Sequence, residues 1–219
     1  MAGKTSINVR EFADALGMTV SVAARAEFEV ATSDINLPGL QFAGFFTHFA
    51  SERVQLAGNA EMTVLAELEE DVVQERMRKF FSFPIPILVI ARGYKTPEVM
   101  AKEARNACVP ILRSSVTTTR CSNLLANYLD RVLAPTISRH GGLVDIYGVG
   151  IMFIGESGIG KSETALELVR RGHRLVADDV VELKRVNENR LVGSAPALVR
   201  YLMELRGIGM FAIRHMYGV

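Results

Sequence analysis

The sequence contains no apolar run long enough to cross a membrane as a helix, which takes about 20 residues. Its longest apolar stretch, residues 85–91, is interrupted by Pro86 and is typical of a buried strand. The first residues, 1–6, lack the apolar segment of a secretory signal. We therefore expect a cytoplasmic protein that does not associate with membranes.

Cysteine is scarce, and neither sign of charge dominates. The two cysteines, Cys108 and Cys121, lack the spacing of metal ligands and have no histidine near them in the sequence, so we expect free thiols. The 25 Lys and Arg residues nearly balance the 24 Asp and Glu residues, and no basic stripe stands out. The sequence therefore does not indicate nucleic-acid binding.

The first 134 residues alternate between helical and strand patterns. Asn8 is a candidate N-cap for a helix that ends at Gly17, and residues 36–39 are typical of a turn. The apolar spacing predicts further elements, which are helices at 67–79, after Pro97 and at 119–133, and strands at 85–91 and 109–112. This alternation predicts a small parallel α/β domain over residues 1–134.

A second domain is predicted over residues 135–219, because Pro135 is a natural boundary. We place a linker near residues 133–139. Residues 143–147 and 151–154 predict the two strands of a hairpin, and the second strand runs directly into a glycine-rich loop.

That loop, residues 155–162, matches the phosphate-loop pattern G-x-x-x-x-G-K-[ST] at every fixed position. A predicted helix follows it, so backbone N–H groups and a helix N-terminus point to one place where phosphate oxygens bind. We expect Lys161 to reach the β- and γ-phosphates and the Ser162 hydroxyl to bind Mg²⁺. The alternative is a glycine-rich turn with an exposed lysine. The expected nucleotide-binding residues are Gly155, Glu156, Ser157, Gly158, Ile159, Gly160, Lys161 and Ser162.

An acidic pair follows the next predicted strand, residues 175–177. Asp178 and Asp179 come at the carboxyl end of this strand, where open α/β sheets place their sites. One carboxylate can remain ionised near a metal while the other accepts the proton of an acceptor group. The alternative is a solvated turn. Only a short helix separates Lys161 from this strand, which is unusual among P-loop proteins and indicates a different scaffold.

Several stretches resemble the HPr kinase/phosphorylase family. They are residues 140–150, the phosphate loop, residues 162–168 and 171–179, and the later segment 204–209 with Tyr217 and Gly218. Residues 33–40 and 43–46 resemble the N-terminal domain of the family. The resemblance covers essentially the whole chain and is most specific over 140–209.

The resemblance implies a P-loop kinase core similar to phosphoenolpyruvate carboxykinase, assembled as a homohexamer. It implies ATP or pyrophosphate as donor, Mg²⁺ as metal, and a serine of the phosphocarrier protein HPr as acceptor. The reverse reaction is phosphorolysis, and the pair of reactions regulates carbon metabolism and the sugar phosphotransferase system.

The resemblance also implies roles for individual residues. His140 and Lys161 match active-site positions, and Ser162 and Glu204 match metal-binding positions. Asp179, with Asp178 beside it, matches the residue that accepts the serine proton and returns it in the reverse reaction. Without the resemblance, His140 is a loop histidine and Glu204 a helix-face carboxylate.

Two departures from the family pattern affect the prediction. Ala212 stands where the family usually has Asn or Asp. Family members continue beyond Val219 with an active-site arginine, a loop used in phosphorolysis and C-terminal helices that contact the phosphocarrier. We therefore expect a chain truncated relative to the family, and its own activity and hexamer formation remain open. Two alternatives are a P-loop kinase for a small molecule and a non-catalytic nucleotide-binding fragment.

Overall fold

The computed structural model describes residues 4–187, 190–196, 202–205 and 209–212. The chain divides into two compact units, residues 1–133 and 134–219. We call them unit 1 and unit 2 and describe each by itself. In the described ranges, no helix has both the length and the apolar character needed to cross a membrane.

Unit 1 is built on a five-stranded sheet in the order β2-β7-β6-β5-β4. Its strands are β2 (Thr19–Val22), β4 (Ile35–Asn36), β5 (Val54–Ala57), β6 (Leu88–Ile90) and β7 (Ile111–Arg113). Strands β4 to β7 are parallel, whereas β2 pairs antiparallel with β7. The expected parallel sheet is therefore found in β4 to β7, whereas at the edge β2 pairs with the backbone groups of β7 from the opposite direction. A separate antiparallel ribbon pairs β1 (Thr5–Asn8) with β3 (Glu27–Val30).

Helices cover both faces of this sheet. They are α1 (Val9–Ala15), α2 (Gly39–Phe42), α3 (Asn59–Ala66), α4 (Glu70–Phe81), α5 (Glu98–Asn106) and α6 (Thr118–Leu133). Helices α2 to α5 bury side chains such as Phe42, Met77 and Met100 on one face. Helices α1 and α6 bury Phe12 and Leu125 on the other face.

The first helix has the predicted boundaries. The Asn8 Oδ1 accepts hydrogen bonds from the amides of Arg10 at 3.0 Å and Glu11 at 3.2 Å, which caps α1. Gly17 follows the helix with a φ of 62°, in the left-handed region that favours glycine. This confirms the helix that Asn8 begins.

Other elements of unit 1 differ from the prediction at their ends. The helix predicted at 67–79 is α4, and α3 before it was not predicted. The turn predicted at 36–39 instead joins the end of β4 to the start of α2. Residues 85–91 are buried as predicted, but only Leu88–Ile90 pair as a strand. The burial is set by apolar character, whereas the pairing depends on the neighbouring strands.

Unit 2 contains three small sheets and one described helix, α7 (Lys161–Arg170). The sheets are β10-β9-β11, β13-β12-β8 and β14-β15. Their strands are β8 (Thr136–His140), β9 (Gly142–Ile146), β10 (Val149–Phe153), β11 (Arg174–Ala177), β12 (Val180–Asn187), β13 (Arg190–Ser194), β14 (Leu202–Leu205) and β15 (Gly209–Ala212). The hairpin predicted before the loop is β9–β10. The linker predicted at 133–139 is wrong, because most of it forms β8, which pairs with β12.

The order of the strands in unit 2 sets the position of the site. Strands β10 and β11 both pair antiparallel with the central strand β9, so they are parallel to each other. Their carboxyl ends therefore lie at the same edge of the sheet. Val144 and Leu175 from this sheet pack against Ala165 and Val169 of α7, which holds the helix on one face.

Candidate functional site

The phosphate loop and the acidic pair lie at one edge of the unit 2 sheet. The loop follows the end of β10 at Phe153, and Asp178 follows the end of β11 at Ala177. His140 lies near the acidic pair because it ends β8 and pairs with Val180, the first residue of β12 after Asp179. The topology therefore gathers residues that are up to 39 positions apart in the sequence, from 140 to 179.

Part of the phosphate loop and the acidic pair surround a cavity of about 180 Å³. It is lined by Ser157, Gly158, Gly160, Lys161, Ser162, Glu163, Asp178 and Asp179. Gly158 and Gly160 have φ values of 91° and 99°, so the loop needs glycine at both positions. Gly160 is the N-cap of α7, and the amino end of this helix opens onto the cavity. Such a loop and helix end favour anionic oxygens.

Lys161 is folded over the loop. Its Nζ donates hydrogen bonds to the carbonyls of Gly155 at 2.9 Å and Glu156 at 2.7 Å. These contacts are exposed, and the lysine lies at the cavity wall. The ammonium group is therefore held within the phosphate loop, where its charge is available to an anion.

Asp178 is the buried member of the acidic pair. Its residue is only 7% exposed, and its Oδ1 accepts a hydrogen bond from the Ser162 Oγ at 3.1 Å. A hydroxyl and a carboxylate oxygen thus lie side by side at the cavity. Oxygen ligands of this kind are the ones that Mg²⁺ prefers, so these residues fit that metal.

Asp179 is the exposed member of the pair. It has a φ of 71°, in the left-handed region that favours glycine. Its backbone carbonyl accepts a hydrogen bond from the Gly141 amide at 2.9 Å. The side chain is 75% exposed, and its Oδ1 lies 3.7 Å from the His140 Nδ1, an ion pair when the histidine is protonated. Asp179 therefore faces solvent beside a titratable ring.

Two site residues were not singled out from the sequence. Gly141 lies so close to Phe153 that a Cβ at position 141 would overlap the Phe153 carbonyl oxygen. Glu163 lines the cavity from the first turn of α7. The signal for Glu163 was its place directly after Ser162, whereas the close approach at Gly141 depends on the crossing of strands.

The predicted metal ligand Glu204 lies in β14, so the helical placement expected without the resemblance is wrong. Its side chain lies outside the described part of the structure. Among the described residues, no group of three or more His, Cys, Asp or Glu side chains could hold a metal ion. Cys108 is exposed, Cys121 is buried, and both are free, as expected.

Two models of one protein family match the chain. The family model described as HPr Serine kinase N terminus matches residues 7–129. The model described as HPr Serine kinase C-terminal domain matches residues 131–219. Together the two matches span both units.

The curated relatives with the most similar sequences include proteins named HPr kinase/phosphorylase. The chain is 49% identical over 205 residues to the HPr kinase/phosphorylase of Caldanaerobacter subterraneus subsp. tengcongensis, covering 92% of this chain and 67% of the relative. It is 50% identical over 187 residues to that of Bacillus cytotoxicus, covering 85% of this chain and 60% of the relative. The chain thus spans about two thirds of the length of these relatives or less. The solved Hpr(Ser) kinase/phosphatase of Coxiella burnetii is 38% identical with a TM-score of 0.36, covering 37% of this chain and 54% of that one.

Proposed function

The chain belongs to the HPr serine kinase family, and from this membership we propose the reaction that its site serves. A phosphoryl group moves from ATP or pyrophosphate to a serine of the phosphocarrier protein HPr, and phosphorolysis reverses the transfer. The reaction regulates carbon metabolism through the sugar phosphotransferase system. Because the chain spans two thirds of its relatives or less, the activity is proposed for the protein that contains these residues.

One observation carries the proposal. A phosphate loop, a buried carboxylate bonded to the loop serine, and an exposed carboxylate beside a histidine all open onto one edge of the sheet. Phosphoryl transfer needs a donor site, a metal site and a group that handles the acceptor proton. The residues proposed for these three parts lie within a few side chains of each other.

The donor is proposed to bind in the phosphate loop, residues 155–162. The amides of the loop and of the amino end of α7 donate hydrogen bonds to the phosphate oxygens, and Lys161 exchanges its carbonyl contacts for contacts to these oxygens. Ser162, Asp178 and Glu204 are the proposed ligands of Mg²⁺, which neutralises phosphate charge when bound. Asp178 keeps the Ser162 hydroxyl oriented toward the cavity.

The acceptor serine is proposed to approach from the exposed side, where Asp179 lies. As the serine oxygen forms its bond to phosphorus, the bond from phosphorus to the leaving oxygen of the donor breaks, and the serine proton moves to the Asp179 carboxylate. In the reverse direction, inorganic phosphate attacks the seryl phosphate and Asp179 returns the proton to the departing oxygen. His140, 3.7 Å away, positions the Asp179 carboxylate.

The scaffold is proposed to be a core similar to phosphoenolpyruvate carboxykinase. Two observations support this. Helix α7 has only 10 residues, and β11 begins soon after it, at Arg174. The strand that feeds the loop belongs to an antiparallel hairpin instead of a parallel unit. The homohexamer implied by the family remains part of this proposal, and light scattering of the full-length protein tests it.

Mass spectrometry of the phosphocarrier tests the proposed reaction. Purified protein containing these residues is incubated with HPr, Mg²⁺ and ATP or pyrophosphate, and then with excess inorganic phosphate. We expect one seryl phosphate to appear and then to disappear. HPr with its target serine changed to alanine is the control. A protein that binds ATP but phosphorylates only a small molecule would contradict the proposal.

A further inference from the structure

Unit 1 contains a cavity of its own at the end of the sheet where β6 and β7 begin. Its volume is about 230 Å³. One wall is formed by residues 83–86, just before β6, and another by Ala107 and Val109, just before β7. The rest of the lining is charged and consists of Lys4, Arg25 and Glu29. Apolar walls with a few charged groups are typical of a site for a small molecule.

Arg25 is held in place by the backbone of the wall before β6. Its Nη2 donates hydrogen bonds to the carbonyls of Ile85, at 3.1 Å, and Pro86. Among the described residues, its Nε and Nη1 have no hydrogen-bond partner. Burial lowers the pKa of the guanidinium, whereas the nearby Cys108 and Glu29 raise it. The arginine is therefore partly desolvated, stays charged at neutral pH, and has N–H groups that can still donate.

The charges of the other two side chains oppose each other. The Lys4 Nζ lies 3.7 Å from a Glu29 carboxylate oxygen. Glu29 also acts on the charge of Arg25, but within the described part of the chain no carboxylate lies close enough to Arg25 for an ion pair. Two positive groups and one negative group leave the lining with one net positive charge, located at Arg25. A ligand with a single negative charge balances it.

Phe83 gives the cavity a fixed apolar wall. Its ring stacks parallel to that of Phe46, with the ring centres 5.5 Å apart, and meets the Phe49 ring edge-on at 5.1 Å between centres. Pro86 and Val109, which also line the cavity, are buried. Because these side chains are already fixed, little conformational freedom is lost when an apolar group packs against them.

We propose that this cavity binds a small monocarboxylate with an apolar body. The free N–H groups of Arg25 donate charge-assisted hydrogen bonds to the carboxylate oxygens. The apolar body packs against Phe83, Pro86 and Val109 and is removed from water there. The site belongs to unit 1 and does not depend on the phosphoryl transfer proposed for unit 2.

Titration with benzoate and benzamide tests the proposal. The two probes share an apolar ring, but only benzoate carries a carboxylate. In two-dimensional NMR spectra of the 219-residue chain, we expect benzoate to shift the backbone amides of Arg25, Ala107 and Val109 with a Kd on the order of 1 mM. Benzamide should bind about tenfold more weakly, because the hydrogen bonds to a charged group are lost.

The thiol of Cys108 provides a second measurement. It lies close enough to Arg25 to interact with its charge, and it is exposed. Bound benzoate offsets the positive charge that favours the thiolate, so alkylation by iodoacetamide should slow down. Benzamide at the same concentration should leave the rate unchanged.

Two pairs of variants locate the site. Arg25→Gln removes the positive charge and should weaken benzoate binding by about tenfold or more, whereas Arg10→Gln on the exposed side of α1 should not change it. Ala107→Asp adds a negative charge to the cavity wall at an exposed position and should also weaken binding. The neutral Ala107→Asn, which has nearly the same shape, should weaken it less.

Several results would overturn the proposal. One is the absence of a saturable shift with benzoate at about 10 mM, and another is equal affinity for benzoate and benzamide. Inorganic phosphate that binds as tightly as benzoate would show that the apolar walls contribute nothing. Unchanged benzoate affinity in a folded Arg25→Gln chain also overturns it. If Arg25→Gln fails to fold by circular dichroism, the Ala107 pair decides, and equal affinities of Ala107→Asp and Ala107→Asn overturn the proposal.

Discussion

Asp178 and Asp179 are neighbours in the chain but differ in what surrounds them. The buried Asp178 accepts a hydrogen bond from the loop serine, whereas the Asp179 side chain is exposed beside His140. In the proposed function, Asp178, next to the donor loop, acts on the metal and the donor, whereas Asp179, which faces solvent, acts on the acceptor serine. This separation arises because the two residues lie between β11 and β12, which belong to different sheets.

Substituting each aspartate should therefore give a different defect in an active protein that contains these residues. We expect Asp179→Asn to lower phosphorylation and phosphorolysis together, by about 100-fold or more, with little change in nucleotide affinity. Asp178→Asn should weaken Mg²⁺-dependent nucleotide binding as well. Steady-state kinetics and calorimetry distinguish the two defects. If the Asp179→Asn enzyme keeps either activity near the wild-type rate, Asp179 does not accept the serine proton, and Asp178 becomes the residue to test.

Lys161→Ala should remove donor binding without unfolding the chain. The lysine contacts two exposed loop carbonyls, so we expect the free energy of unfolding to change by less than about 1 kcal/mol. Donor affinity should fall by about 10- to 100-fold, because a charge-assisted contact to phosphate is lost. Calorimetry with ATP and pyrophosphate measures this, with Lys102→Ala on α5 as the control. Undiminished affinity would show that the loop is not the donor site.

The two cysteines should differ in reactivity. Burial raises the pKa of the Cys121 thiol, so less thiolate is present at a given pH, whereas Cys108 is exposed. We expect iodoacetamide to label Cys108 in the folded chain and Cys121 only after denaturation. Serine at either position should leave phosphoryl transfer unchanged, with a cost of about 1 kcal/mol for the buried residue. Loss of transfer with the fold retained would indicate a thiol-dependent step.

At the scale of elements, the connection between β8 and β9 holds the site together. Gly141 joins the two strands, donates its amide hydrogen to Asp179, and leaves no room for a Cβ against Phe153. Phe153 ends the strand that leads into the phosphate loop. A disturbance at Gly141 is therefore transmitted to both the acidic pair and the loop.

Gly141→Ala should impair donor binding although residue 141 does not line the cavity. The new Cβ displaces the Phe153 carbonyl, and we expect a stability loss of about 1–3 kcal/mol together with reduced nucleotide affinity. Gly150→Ala is the matched control, because its Cβ would meet Leu143 only at 3.5 Å, an ordinary contact. Thermal unfolding and calorimetry report the two effects. If the two variants have equal stability and equal nucleotide affinity, the β8–β9 connection does not position the loop.

At the scale of the whole molecule, each unit has its own core. Two clusters of buried apolar side chains lie on the two faces of the five-stranded sheet, and all their members belong to residues 1–133. In unit 2, the apolar clusters lie around β9 and against α7. A chain segment with a complete core can fold without the rest of the protein.

Residues 1–133 should therefore fold alone with a cooperative unfolding transition. Phe12 is fully buried and packs edge-on against two aromatic rings. The centre of its ring lies 5.1 Å from that of Phe28 and 5.0 Å from that of Tyr128. Phe12→Ala should lower the free energy of unfolding by about 3–5 kcal/mol. Val20→Ala, at a side chain that is 38% exposed, is the control and should cost much less. A broad transition in the wild-type segment would contradict independent folding.

Local signals in the sequence determined several features of this protein. The Asn8 cap, the α4 and α6 helices and the β9–β10 hairpin follow from capping, apolar period and turn residues, which act over a few neighbouring positions. The phosphate loop could be predicted for the same reason, since its glycines, lysine and serine are consecutive. Family membership also followed from contiguous stretches around it.

Tertiary structure alone decided which residues meet. The antiparallel β2 and the pairing of β8 with β12 depend on partners far along the chain. Glu204 lies in a strand because β14 pairs with β15, where its partner is Met210. The differing surroundings of Asp178 and Asp179 arise because β11 and β12 enter two different sheets at that point. A sequence pattern reflects neighbours a few residues away. Strand pairing joins residues much farther apart, 40 positions for His140 and Val180 and 94 positions for Thr19 and Arg113.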